Sequence, residues 1–173
     1  MQMQSTSTQL AGSLSEVRAH DQVMRYHRAG AGRPLVLLRG ADDPEAIWPE
    51  LDAQLVGQFR VFTPDLPPDC GDVAAWMKDF LEGVGLDRVL LIAADPCCLA
   101  ALELALLGPD QVERLVLVPG GLASETGLDG TLATTLTGVS VPLLVVRRGL
   151  SAAEALPMLG QFLEERPSAA AVG

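Results

Sequence analysis

Asp95 is a carboxylate set in the run Ala93-Ala94-Asp95-Pro96-Cys97 of this 173-residue chain. An apolar, strand-like segment at 88–94 is followed at once by a helical pattern at 97–107, so the turn between them must be very tight. Asp95 has a structural reading there: it caps a helix that starts at Pro96, because an aspartate oxygen accepts from free first-turn N–H groups and proline suits the first helical position. Cys97 and Cys98 adjoin this turn, and Cys70 lies in the loop after Pro64. Zinc sites use Cys-x-x-Cys spacing and four ligands, whereas adjacent cysteines at a helix start point apart and no histidine is near. They read as small buried fillers, and no metal or other cofactor is expected.

General-base chemistry requires a histidine within hydrogen-bond reach, and the chain has only His20 and His27, both before the first central strand. Arginines mark two strand ends, Arg39 after the run at 35–38 and Arg147-Arg148 after the run at 141–146. They would converge on the crevice where doubly wound sheets hold ligands, either gripping an anion or forming a salt bridge with Asp95 or Asp65. Trp48 and Trp76, within apolar helical faces, read as core anchors.

The elements that would position these residues alternate. Residues 35–38 form an aliphatic run bounded by glycines, the pattern of a strand covered on both faces. A helix is expected at 44–56, a strand at 59–62 ended by Pro64, and a helix opened by Asp72 and ended near Gly83 and Gly85. Strands at 88–94, 115–118 and 141–146 and helices at 97–107 and 151–165 complete the series, with an irregular stretch at 119–140. Two short extended stretches fall within 16–28. Such alternation predicts an α/β, three-layer sandwich with a mostly parallel central sheet. Residues 1–15, rich in Gln, Ser and Thr, read as a flexible N-terminal arm, and 16–173 as one domain.

Lys and Arg number 12 against 22 Asp and Glu, a formal charge of −10. A surface of that sign repels nucleic acid and anionic membranes, so neither is an expected partner. Three cysteines make no disulfide framework, and there is no signal-like leader or membrane-length apolar run, which points to a cytoplasmic protein.

From residue 16 onward the order of segments resembles the α/β-hydrolase family. Leu35-Val36-Leu37-Leu38-Arg39-Gly40 resembles the family's central strand, which ends in His-Gly and contributes to the oxyanion hole, and Val61-Phe62-Thr63-Pro64-Asp65-Leu66-Pro67 resembles its Pro-Asp-Leu-Pro-Gly loop. Gly85-Leu86-Asp87-Arg88-Val89 is similar to the entry of the nucleophile strand, and 112–118 to the strand after the nucleophile helix. The resemblance places the Gly-x-Ser-x-Gly elbow on 93–97, with Asp95 at the nucleophile position, as in the haloalkane dehalogenase and epoxide hydrolase branches, where an aspartate attacks carbon to form an ester. Pro96 then stands where the backbone N–H should stabilise the oxyanion and has none to give. The family's acid after 145–146 is replaced by Arg147-Arg148-Gly149, with Glu125 a substitute, and the histidine after the last strand and the lid are missing.

These readings lead to an expectation: a lidless, C-terminally shortened, non-hydrolytic α/β-hydrolase-like protein. It would act as an accessory, scaffold or regulatory subunit, associating with itself or another protein through an open sheet edge that the arm could wrap. Two alternatives stand beside it. One is a hydrolase using Asp95 with a base from another chain. The other is a non-hydrolytic catalyst or small-molecule binder using a crevice formed by Arg39, Gly40, Asp65, Ala94, Pro96, Cys97 and Arg147.

Overall fold

The structure, a computed structural model, describes residues 12–19, 21–39, 48–66, 72–94, 97–118, 137–146 and 150–165. Its strands are β1 (Ser13–Ala19), β2 (Gln22–Ala29), β3 (Pro34–Leu38), β4 (Arg60–Pro64), β5 (Val89–Ala94), β6 (Val112–Val118) and β7 (Leu143–Val145). The helices among these residues are α1 (Trp48–Gln58), α2 (Val73–Val84), α3 (Cys98–Leu107) and α4 (Ala152–Glu164).

Aliphatic runs without a polar alternate form the centre: β5 is buried at every position and β3 and β6 at nearly every one. The sheet order is β1-β2-β4-β3-β5-β6-β7. β2 is antiparallel to β1 and β4, and every other pairing is parallel. Successive strand residues point to opposite faces, which separates two apolar layers. Val36, Leu38, Leu91, Ala93, Leu115 and Leu117 pack with α2 and α3. Leu35, Leu37, Leu90, Ile92 and Val116 pack with Leu51 and Leu55 of α1 and Leu159 and Leu163 of α4. The expected three-layer α/β sandwich with a mostly parallel sheet is the architecture found.

Local chemistry sets the helix ends. Asp72 Oδ1 accepts from the Ala75 N–H at 2.9 Å, and Gly85 ends α2 in the left-handed region at φ 77°. Asp72→Ala is expected to lower stability by about 1 kcal/mol, read from the thermal midpoint. At the start of α4, the Ser151 N–H and hydroxyl donate to Glu154 Oε2 at 2.9 and 2.8 Å. These bonds, the backbone one first, hold the Glu154 carboxyl below its ordinary value. A lowered carboxylate pKa contributes stability above the unfolded-state value that is lost as pH falls through the lowered one. An NMR pH titration should show Glu154 ionising below the usual glutamate range, with Ser151→Ala, which removes the hydroxyl but keeps the backbone N–H, moving it only part of the way back.

The C-terminal end of α4 is fastened by two strand-side arginines, cations where a helix dipole favours them. Arg33 donates to the Leu163 carbonyl at 2.9 Å and pairs with Glu113. Arg114, 6% exposed, donates from Nε to the Glu165 carbonyl at 3.0 Å and lies over the Phe162 ring at 5.1 Å. Gly30, at φ 79°, is constrained twice, since a Cβ there would also run into the Phe59 carbonyl oxygen. Gly30→Ala should therefore destabilise the fold by about 1–3 kcal/mol in chemical denaturation.

Several boundaries differ from the sequence expectations. β1 starts at Ser13, so residues 13–15, read as part of the arm, are strand held by a full antiparallel ladder to β2. β4 runs from Arg60 to Pro64 rather than over 59–62. α3 is described from Cys98 with Cys97 at its N-cap, and Asp95 and Pro96, expected to cap and open that helix, lie outside the described residues. The Cys97 N–H donates to the Ala94 carbonyl at 2.8 Å, just before the helix. Trp76 is buried and stacks on Phe80, whereas the Trp48 side chain, the 1–11 segment and most of 119–140 lie outside the described residues.

Candidate functional site

The chain leaves β3 through α1 toward β4 and leaves β5 through α3 toward β6, in opposite directions along the sheet. α1 leads to β4 on one side, while β5, reached through α2, lies on the other. The strand ends between them form the switch point at which open α/β sheets hold ligands. Leu38 is the partner of Ala93, so the next step of the register sets Arg39 beside Ala94. Val36 is the partner of Phe62, and the same extension brings Arg39 level with Asp65. The structure thus gathers Arg39, Asp65 and Ala94 at three adjacent strand ends, with Cys97 just beyond at the head of α3. Gly40, Asp95, Pro96 and Arg147, also assigned to this crevice, lie outside the described residues, as do His20, Cys70, Glu125 and Arg148.

Each of these side chains has a definite environment. Asp65 is exposed and its N–H donates to the Arg25 carbonyl at 2.9 Å. The Cys97 and Cys98 thiols are buried, and the Cys98 S–H donates to the Ala93 carbonyl at 3.4 Å. Among the described residues no group of three His, Cys, Asp or Glu could hold a metal ion. No helix of the described residues is long and apolar enough to cross a membrane.

Arg39 meets a residue that the sequence reading missed. Its Nη1 lies 3.2 Å from Asp52 Oδ2 of α1, a pair whose side chains are only 18% and 8% exposed. The contact is an ion pair without hydrogen-bond alignment, since neither Asp52 oxygen has a hydrogen-bond partner. Burial pushes the Asp52 carboxyl above its ordinary value, and the Arg39 charge pulls back only part of the way. A raised carboxylate pKa makes the folded state the better proton binder, so this group's contribution falls as pH rises from the ordinary carboxylate value through the raised one. The signal that would have revealed Asp52 is its place among Leu51 and Leu55, an acid on the apolar stripe of α1.

His27 lies on β2, opposite Thr63 of β4. It is three strand positions from β5, or roughly 14 Å at the usual inter-strand spacing. That exceeds the reach of an imidazole toward the end of β5. Both His27 Nδ1 and Thr63 Oγ1 are buried without a hydrogen-bond partner.

No family model matches the chain. Uncharacterized proteins of Mycobacterium tuberculosis and Mycobacterium bovis are 28% identical over 69% of this chain, and the match spans only 38% of their length. Among solved structures, the epoxide hydrolase CorEH is 27% identical with a TM-score of 0.54, matching 70% of this chain and 48% of its own. Carboxylesterase CesB from Bacillus subtilis, 22% identical with a TM-score of 0.53, matches 62% of this chain and 42% of its own. The sheet order, the helices on both its faces and these likenesses agree: the chain is a protein of the α/β-hydrolase fold.

Proposed function

We propose that this is a non-hydrolytic member of the fold, an accessory, scaffold or regulatory subunit that works by binding a protein partner or a second copy of itself. The observation that carries this reading is Pro96, immediately after the elbow position. A proline nitrogen has no hydrogen to offer a developing oxyanion, and losing one such donor lowers kcat by about a hundred- to a thousandfold. Two further features support it. Arg39, where the resemblance implies His-Gly, is engaged with Asp52, and His27 stands too far from the end of β5 to act as a base. Among the described residues β1 and β7 are each paired on one side only, and such edges accept a further strand.

A second reading is favoured by one specific residue, the aspartate at the elbow. Asp95 would attack carbon, and a histidine from another chain would activate water against the resulting ester. Turnover of p-nitrophenyl esters, an epoxide and a haloalkane separates the two. The accessory reading predicts rates at the uncatalysed background for the wild type and for Asp95→Asn alike, whereas turnover that Asp95→Asn removes overturns it.

A further inference from the structure

We infer that the outer edge of β1 is a self-association surface, on which two copies of this chain pair β1 to β1, antiparallel, about a two-fold axis at Val17. The inference rests on the accessory reading and deepens it by naming a second copy as the partner. Ala19 of β1 is partnered directly with Gln22 of β2, only three positions on, and the closing pair of so tight a hairpin exchanges both N–H···O bonds. Bonded and non-bonded pairs then alternate down the ladder. Val17 and Ser15 turn their main-chain groups toward β2, while Leu14, Glu16 and Arg18 turn theirs outward, where no strand of the described residues meets them.

Charge selects the register. A copy centred on Glu16 sets Glu16 against Glu16, and one centred on Arg18 sets Arg18 against Arg18; like charges directly opposite destabilise a ladder. Centred on Ser15, Glu16 faces Leu14 and no charge is matched. Centred on Val17, Glu16 of each copy faces Arg18 of the other, and the two-fold symmetry makes both pairs at once. These are also residues whose N–H and C=O point outward, so one register joins the main chains and the charges together.

The side chains are placed for it. Arg18 is exposed and stands opposite Val23. Glu16, 53% exposed, has Arg25 on its inner side, so a second arginine would flank it on the outer one. Leu14, 56% exposed, would lie one diagonal step from Arg18 of the copy, whose aliphatic stem reaches that far. On the opposite face Val17 would meet Val17, and Ser15 would meet Ala19. There α2 touches β1 through the exposed Gly83, which has no side chain to hold a neighbour away.

Sedimentation equilibrium of the full chain should show a monomer–dimer equilibrium. Glu16→Arg and Arg18→Glu should each raise its dissociation constant by about tenfold or more, because each sets like charges across the axis. Both positions are exposed, so circular dichroism should find each variant folded. An equimolar mixture of the two should restore association, since every facing pair then has opposite signs. Mild oxidation should cross-link Val17→Cys, whose twins meet at the axis, but not Ser15→Cys, whose twins stand roughly 13 Å apart along the strands. A monomer at millimolar concentration, association indifferent to both reversals, no rescue on mixing, or a dimer that Leu107→Glu of α3 dissolves would overturn the inference. Ester, epoxide and haloalkane turnover by the same samples bears on the accessory reading separately. A monomer without turnover sinks the pairing alone, and a β1-paired dimer whose turnover Asp95→Asn removes sinks that reading alone.

Discussion

Arg39→Met is expected to lower the stability of the folded chain by about 3–5 kcal/mol at neutral pH, because it strands the Asp52 carboxylate without a counter-charge. The pair is nearly dry, with Asp52 only 6% exposed as a residue, so solvent cannot take over the role of the guanidinium. Two corollaries make the result diagnostic. The deficit should shrink as pH is lowered toward the ordinary carboxylate range, because a protonated Asp52 needs no partner and burial already favours that form. The double replacement Arg39→Met with Asp52→Leu should recover most of the loss, since exchanging a whole buried pair for apolar side chains is often neutral or better. Urea denaturation of the wild type and both variants at two pH values checks all of this, and an Arg39→Met protein indistinguishable from wild type would refute the buried-pair account.

The second large effect is expected at Phe80. Its ring is fully buried, stacked on Trp76 at 5.7 Å with an interplanar angle of 3° and met edge-on by Tyr26 at 5.4 Å. Trp76 and Phe80 belong to α2 while Tyr26 belongs to β2, so this one side chain joins a helix to the hairpin at the sheet's antiparallel end. Truncation removes the ring's burial, leaves a cavity and breaks two aromatic contacts. Phe80→Ala should therefore destabilise the chain by about 3–5 kcal/mol, and Phe80→Leu by markedly less because most of the volume remains. If the cost were shared with the hairpin as described, amide hydrogen exchange in β1 and β2 would accelerate more than in β6.

Strands were legible wherever both faces of the sheet are covered. Leu35 to Leu38 and Val89 to Ala94 carry no polar alternate, and they proved to be β3 and β5. The capping residues of α2 were legible too, because Asp72 and Gly85 act within one turn of sequence. What escaped is non-local. The partner of Arg39 is Asp52, thirteen positions away and on another element, where the sequence offered Asp95 and Asp65 as nearer chemical candidates. Similarly, the apolar spacing of α4 announces a buried stripe but not its face, and only the packing of Leu159 and Leu163 beside Leu51 and Leu55 shows that it shares a layer with α1. The helix expected at 97–107 is found as α3 from Cys98, with Cys97 at its N-cap donating its N–H to the Ala94 carbonyl, a backbone bond invisible to residue preference. Of the crevice, Arg39, Asp65 and Ala94 stand at or next to the ends of the neighbouring strands β3, β4 and β5, while Gly40, Asp95, Pro96 and Arg147 lie outside the described residues.

Mass spectrometry of the Asp95 peptide after incubation with a haloalkane or an epoxide is the most direct trial of the claim that this fold carries no working nucleophile. An attacking carboxylate would form an ester, expelling halide in one case and opening the ring in the other, and without a histidine in reach that ester would persist. The account predicts an unmodified peptide after prolonged exposure. A stable mass increment on Asp95, absent in Asp95→Asn, would contradict it.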